Sequence, residues 1–249
     1  MNAEDIPLNR LYDDLAWLWP VFSPPEEYAE EAAHWRTVLR EALGPGRHPV
    51  LELGVGGGHN LSHLAPDFEV VAVDLSARML ENSRRLNPGV EHRLGDMRTL
   101  RLGRTFRAVL IHDAVSHLLS EAELAATFAT AAAHLDPGGL FVCSPDAFRE
   151  TFRPPTLEHT LHSGAGIELA TFEFAHDPDP ADTRIETLFT HIIRRGVERR
   201  IELDRMVTGL FTKAAWARGI EAAGFDFAER AFRLEGMEQP YVLLTGRRR

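Results

Sequence analysis

Leu51-Glu52-Leu53-Gly54-Val55-Gly56-Gly57-Gly58-His59-Asn60 runs from a short apolar segment into a cluster of glycines. The apolar part predicts a buried strand over 49–53. The glycines predict a tight turn into a helix, where a ligand can approach the backbone and meet helix N–H groups. Upstream, Tyr28, Ala32, Trp35, Val38 and Leu39 recur at three- and four-residue spacing, which predicts a helix over 26–43 closed by Gly44-Pro45-Gly46. Downstream, 69–73 reads as a strand and 76–86 as a helix with Ser76 as its N-cap. Strands near 90–94 and 107–112, a helix over 121–135 and a strand over 140–144 follow. This alternation implies an α/β fold, a Rossmann-like, mostly parallel sheet with helices on both faces.

The alternation breaks after Pro145. Leu169-Ala170-Thr171-Phe172-Glu173-Phe174, then Asp177-Pro178-Asp179-Pro180, then β-rich stretches at 185–193 and 197–206 predict an antiparallel meander inserted beside the main sheet. His159 and His162 fall in a loop on this reading. A helix over 211–223 with Thr212 as N-cap and Gly224 at its end, and two closing strands, complete the chain. Residues 1–249 therefore read as one domain: an N-terminal lid with helices over 1–45, a core over 46–150, an antiparallel β flap over 165–208, and a closing helix and strands over 209–249.

The 249 residues carry 27 Lys and Arg against 37 Asp and Glu, a formal charge of −10. An acidic balance excludes sequence-independent nucleic-acid binding, which needs a basic face. The Arg247-Arg248-Arg249 tail reads as a frayed, solvated terminus. One cysteine, Cys143, leaves no intramolecular disulfide and reads as a buried strand residue. No apolar run approaches the roughly 18 residues of a spanning helix, and no basic-then-apolar signal opens the chain. The expectation is a cytoplasmic protein, monomer or homodimer, with no nucleic-acid or membrane partner.

Two features define the ligand of the glycine turn. A dinucleotide fingerprint starting at Gly54 needs a glycine at position 59, which is His59. Glu52 precedes the glycines, where its charge repels a pyrophosphate and attracts a cation. S-adenosyl-L-methionine carries a sulfonium and an ammonium and no phosphate. Asp74 ends the next strand, twenty positions after Gly54, where a carboxylate can accept from both ribose hydroxyls. Asp96 follows the third strand, placed to accept from an adenine amino group, with Met97 offering a backbone amide and an apolar surface. Each carboxylate alone reads as a solvated turn or cap. Three at the ends of three successive strands mark the edge where open α/β sheets bind ligands.

Segments 51–60, 71–75, 95–97, 109–118 and 135–142 resemble the successive motifs of class I S-adenosylmethionine-dependent methyltransferases, over roughly residues 11–145. The resemblance implies a seven-stranded sheet with its final strand antiparallel and a cofactor site at the strand ends. It places Glu52, Gly54 and Gly56 on the methionine side, Asp74 at the ribose, Leu75 against the adenine, Asp96 and Met97 at the adenine edge, and the His112 backbone at the methionine moiety.

Within that family the chain is similar to small-molecule methyltransferases with an antiparallel β flap, including N,N-dimethyltransferases of nucleotide-linked amino sugars. The similarity rests on Leu11-Tyr12-Asp13, Gly95-Asp96-Met97-Arg98, His117-Leu118 with Glu121-Ala122-Glu123-Leu124, Thr183-Arg184-Ile185-Glu186, and Leu210-Phe211-Thr212. It departs at Glu238-Gln239-Pro240-Tyr241, where the sugar enzymes carry Gly-Arg-Gly, and the missing arginine weighs against a diphosphate-bearing substrate.

His117 lies just past the fourth strand, facing the transferred methyl, as a general base or, alternatively, as a packing or capping histidine. Tyr12 is a candidate to orient the substrate. Tyr28 either bonds the methionine carboxylate or simply packs on its helix stripe. Trp17, Trp19 and Phe22 form an aromatic cluster by the lid. Of 12 histidines, His59 and His63 share one helix face without the intervening Glu of a metalloprotease, so no metal is expected and these histidines read as exposed or capping. The expected activity is S-adenosylmethionine-dependent methyl transfer to nitrogen or oxygen of a small polar metabolite. The alternatives are a carboxyl O-methyltransferase, with Arg184, Arg194, Arg195, Arg199 and Arg200 attracting an anion, and a silent cofactor-binding subunit.

Overall fold

The computed structural model describes residues 3–237 and 239–249, so Glu238 of the Glu238–Tyr241 departure lies outside the described residues. Five strands alternate with helices in the first part: β1 (Pro49–Leu53), β2 (Glu69–Asp74), β3 (Glu91–Leu94), β4 (Phe106–Ile111) and β5 (Leu135–Cys143). The helices are α1 (Trp19–Phe22), α2 (Ala29–Leu43), α3 (His59–Leu64), α4 (Ala77–Leu86) and α5 (Glu121–Ala133). Four strands follow: β6 (Thr156–Gly164), β7 (Ile167–His176), β8 (Arg184–Arg195) and β9 (Glu198–Gly209). Helix α6 (Lys213–Ala222), β10 (Phe225–Phe232) and β11 (Tyr241–Arg248) close the chain.

The main sheet runs β10-β11-β5-β4-β1-β2-β3. β1 to β5 are mutually parallel, and β11 enters antiparallel between β5 and β10. Alternate residues of the central strands feed two cores. Leu51, Leu53, Val109 and Ile111 pack with Phe128 of α5 and Trp216 of α6. Val50, Ala108 and Leu110 pack on the other face with Trp35 and Leu39 of α2. Both faces are covered, which is why these strands read as continuous apolar runs. The side-chain oxygens of Ser76, Ser120 and Thr212 accept the N–H of Met79, Glu123 and Ala215 at the starts of α4, α5 and α6. Such a cap contributes about 1 kcal/mol. Gly44 and Gly224 end α2 and α6 at φ 78° and 93°, a region that favours glycine.

The second sheet, β6-β7-β8-β9, is wholly antiparallel. Its inner face, with Ile167, Leu169, Phe189 and Ile193, packs on Leu11, Leu15, Leu18 and Val21 of the N-terminal segment. This sheet begins at Thr156, not at 165, and His159 and His162 stand on its edge strand rather than in a loop. The sequence hid β6 because its apolar residues, Leu157 and Leu161, point to solvent while Thr160 and His162 face inward, which inverts the usual amphipathic signal.

Two further expectations are corrected. β5 starts at Leu135, and a register shift between Phe106 and Ala108 of its partner strand absorbs the Asp136–Gly139 irregularity. The arginine tail is not frayed. Arg247 pairs with Leu140 and Asp226, the Arg248 guanidinium donates to the carbonyls of Ala132 and Leu135, and the Arg249 N–H donates to the Gly224 carbonyl at 3.0 Å. An antiparallel strand needs no apolar side chain at its end when its backbone ladder is complete.

Candidate active site

β1, β2, β4 and β5 end at one edge, and the turns that follow them build a cleft. Gly54, Gly56 and Gly58 hold φ of 73°, 56° and 76°. A Cβ at Gly54 would collide with that of Ala114, and one at Gly57 with the Trp19 indole. Gly54 and Val55 both donate to the Val73 carbonyl, at 2.8 and 3.0 Å, tying the loop to β2.

The strand-end carboxylates occupy the places the sequence predicted, in different states. Glu52 is buried, its Oε2 has no hydrogen-bond partner, and burial pushes its carboxyl up to about 7. Asp74 accepts the Gly56 N–H at 2.7 Å on Oδ2 and the Ser76 N–H at 2.8 Å on Oδ1. Burial raises its pKa against the pull of those donors. Leu75 is a third backbone donor, and the carboxylate keeps accepting capacity for a ribose hydroxyl. Asp96 is held by Arg98 in a two-point pair at 3.0 and 2.7 Å, which depresses its pKa, and Arg98 also reaches Glu123 at 2.6 Å. Leu75, 68% exposed, lies beside Asp74 as an apolar surface facing solvent. Met97 packs against the core next to Gly54.

The His112 ring is engaged at both nitrogens: Nε2 meets Glu31 at 2.8 Å and Nδ1 meets Asp113 at 3.1 Å. Burial opposes the charged form, but Asp113 and Glu31 together outweigh it and hold the pKa well above the usual histidine value. Glu31, His112 and Asp113 are close enough to surround a cation. The Tyr28 hydroxyl shares a hydrogen bond with Ser23 Oγ at 2.8 Å, and its ring lies 5.8 Å from that of His112.

Tyr12 and His117 meet across the cleft, with the Tyr12 hydroxyl 3.3 Å from His117 Nε2. Burial lowers the His117 pKa, against the nearby charge of Asp113. Burial raises that of Tyr12, and Asp146, Tyr28, Asp113 and Asp74 add to it. Trp19 packs against Tyr12, Phe22 and His59, while Phe22 reaches Phe189 and His191 of the flap. Trp17 leaves this cluster and lies 39% exposed. His59 is buried and His63 half-buried. They contact the Ser23 and Pro25 carbonyls at 2.5 and 2.8 Å and fasten the N-terminal segment to α3.

Four residues of the cleft escaped the sequence reading: Glu31, Asn60, Asp113 and Asp146. Asn60 is buried with both side-chain polar atoms unpartnered, close to the glycine turn. The strand-end rule that found Glu52, Asp74 and Asp96 applies equally after β4 and β5, and would have found Asp113 and Asp146. Glu31 carried no local signal.

The residues fit S-adenosylmethionine. A buried carboxylate without a donor suits an ammonium, a strand-end carboxylate with accepting capacity left suits a ribose hydroxyl, and an exposed leucine suits an adenine face. Residues 50–139 match the family model described as a methyltransferase domain. Over 206 residues, 81% of this chain and 78% of the relative, the sequence is 34% identical to a dTDP-3-amino-3,6-dideoxy-alpha-D-glucopyranose N,N-dimethyltransferase of Streptomyces fradiae. The chain belongs to the S-adenosylmethionine-dependent methyltransferases.

Two solved structures extend the likeness to this methyltransferase. CalS10, an amino pentose methyltransferase from Micromonospora echinaspora solved with S-adenosylmethionine bound, is 28% identical with a TM-score of 0.77. The match covers 89% of this chain and 92% of that one. DesVI of Streptomyces venezuelae is 26% identical with a TM-score of 0.80, over 100% and 99% of the two chains. Both the seven-stranded sheet and the antiparallel flap fall within that alignment. The enzyme uses S-adenosylmethionine to methylate a small polar substrate.

Proposed function

We propose that this methyltransferase acts on the amino group of an amino sugar. The observation that carries the reading is the sign of the charge around the Tyr12–His117 pair. The groups that press most strongly on the Tyr12 hydroxyl include Asp146, Asp113 and Asp74, all acidic. A cleft of that polarity favours an ammonium and repels an organic acid. Two of the five flap arginines are neutralised on the exposed sheet, where Arg194 pairs with Glu168 and Arg200 with Glu202, which weakens the support for a carboxyl O-methyltransferase. The relatives supply the sugar, because the Streptomyces fradiae enzyme is named for a dTDP-linked amino sugar and CalS10 for an amino pentose.

Bound S-adenosylmethionine supplies a methyl group already activated by its sulfonium. The protein's part is alignment and one proton. Glu52 would hold the ammonium of the methionine moiety, Asp74 the ribose, and Asp96 with Met97 the adenine edge. The Gly54 to Gly58 turn lets the backbone approach. Tyr12 would close the acceptor side and, through its contact with Nε2, fix the His117 ring beside it. A neutral imidazole, favoured by burial, can take one proton from the substrate ammonium and leave a lone pair on nitrogen. Fixing the three reacting atoms in line accounts for most of the acceleration.

Incubating the enzyme with S-adenosylmethionine and 3-amino-3,6-dideoxy-glucose, free or as its dTDP conjugate, should yield products heavier by one and then two methyl groups by mass spectrometry. The missing arginine favours the free sugar. Methylation of the 3-hydroxy analogue without methylation of the amine would sink the amino-group reading.

A further inference from the structure

We infer that Asp146 selects the acceptor, holding the substrate nitrogen by its N–H bonds against the Tyr12–His117 wall. This rests on the amino-group reading above and names the residue that enforces it. The backbone fixes where Asp146 stands. Cys143 of β5 pairs with Ile111 of β4, and the Ser144 N–H donates to the Ile111 carbonyl at 3.2 Å. The chain then turns at Pro145 and brings Asp146 against the Asp113–His117 turn. The Asp146 N–H donates to Ser116 Oγ at 3.0 Å. Ser116 is itself buried and immediately precedes His117. Asp146 is thereby fixed against the turn that carries His117.

Its charge has no partner. Among the described residues no Lys or Arg forms an ion pair with Asp146, whereas Asp13, Asp14, Asp67 and Asp96 all have one. The neighbouring Asp113 is engaged by His112. The groups whose charges reach Asp146 are Asp113, His112 and Glu31, two acids and one imidazolium already clamped between them. Burial of the Asp146 carboxyl and the Asp113 charge push it up to about 8, so it holds a proton near neutral pH in the free enzyme, and a bound ammonium would favour the carboxylate. Asp146 as a whole is nonetheless an exposed residue, as a group that touches substrate must be.

The same arrangement sets how many methyl groups are added. The reactive free base of a primary amine has two N–H bonds, that of a monomethylated amine has one, and that of a dimethylated amine has none. Asp146 can hold the first two in the attacking orientation while His117 takes the departing proton. In each round the nitrogen–carbon bond forms as the carbon–sulfur bond breaks, and the sulfur keeps that electron pair. A tertiary amine offers Asp146 nothing to accept, so transfer stops at two.

The test compares wild type with Asp146→Asn and Asp146→Glu, using the amino sugar of the assay above and its 3-hydroxy analogue as a competitive inhibitor. Losing the charged contact should raise KM for the amine about ten- to a hundredfold in Asp146→Asn. The preference for amine over hydroxyl analogue should fall toward one, while S-adenosylhomocysteine affinity stays at the wild-type value. Asp146→Glu should recover part of both. Wild-type KM and preference in Asp146→Asn would overturn the proposal, as would equal loss for amine and hydroxyl ligands together with lost cofactor affinity in both variants, which marks a structural role. If wild type itself turns over the hydroxyl analogue and not the amine, the amino-group reading falls, and the role of Asp146 falls with it.

Discussion

The Tyr12 hydroxyl stands 3.3 Å from Nε2 of His117, and the two rings meet edge to face with centroids 5.1 Å apart. Tyr12 comes from the N-terminal segment and His117 from the turn after β4, so the contact forms only when that segment is docked. His117→Ala should lower kcat without changing S-adenosylhomocysteine affinity, by about 10- to 100-fold for a positioned base. Tyr12→Phe should chiefly raise KM. Because burial lowers the His117 pKa, the acid limb of the kcat/KM profile should lie below the ordinary histidine range. A profile unchanged in His117→Ala would assign that limb to another group.

Glu52 couples cofactor binding to pH. Its carboxyl titrates near 7 when buried, against 4.5 ordinarily. A carboxyl raised in this way costs stability as pH rises from about 4.5 to 7, and the full cost, about 3 kcal/mol, applies above that window. Glu52→Gln should therefore stabilise the cofactor-free enzyme at pH 8 while weakening S-adenosylhomocysteine at least tenfold. Wild-type binding below pH 7 should release a proton, read by calorimetry in two buffers of different ionisation enthalpy.

Gly54→Ala should damage both fold and site. A φ of 73° is strained for alanine, and the new Cβ meets that of Ala114. A cost of about 2 kcal/mol corresponds to a Tm lower by roughly 4–8 °C in a chain of this size. Cofactor affinity should fall with it. Alanine at Gly103, which also has positive φ but nothing within 4 Å of an added Cβ, should leave cofactor affinity unchanged.

Asp204 ties the N-terminal segment to the flap. Its buried carboxylate accepts from the N–H of Arg10, Leu11 and Arg205 at 2.8, 2.9 and 2.7 Å. Asp204→Ala would leave those donors without an acceptor, at about 1–3 kcal/mol for a buried group. Trypsin should then cleave near Arg10 faster than in wild type, and protection by cofactor should shrink, because Tyr12 and Trp19 belong to the released segment. Unchanged cleavage would mean that the apolar contacts of Leu11, Leu15 and Leu18 hold the segment alone.

The alternating sheet was legible because a strand buried on both faces, a glycine turn and a capped helix each leave a local mark. Val50, Leu51 and Leu53, the Gly54 to Gly58 run and Ser76 are such marks. For the same reason the positions of Glu52, Asp74 and Asp96 could be read, since strand ends are local events. Strand β6 was not legible, because its apolar residues Leu157 and Leu161 face outward, although its ladder with β7 closes through the short turn at Ala165-Gly166. Nor was the state of each acid. That Glu52 lacks a donor, that Arg98 occupies Asp96, and that Glu31 grips His112 across 81 positions all depend on which chains the fold brings together. The sequence by itself determined the architecture and the cofactor edge, through periodicity and turn chemistry. Only the tertiary structure decided the charge, pairing and acceptor-side geometry of the cleft, because electrostatics and hydrogen bonding depend on distances through space that no local pattern encodes.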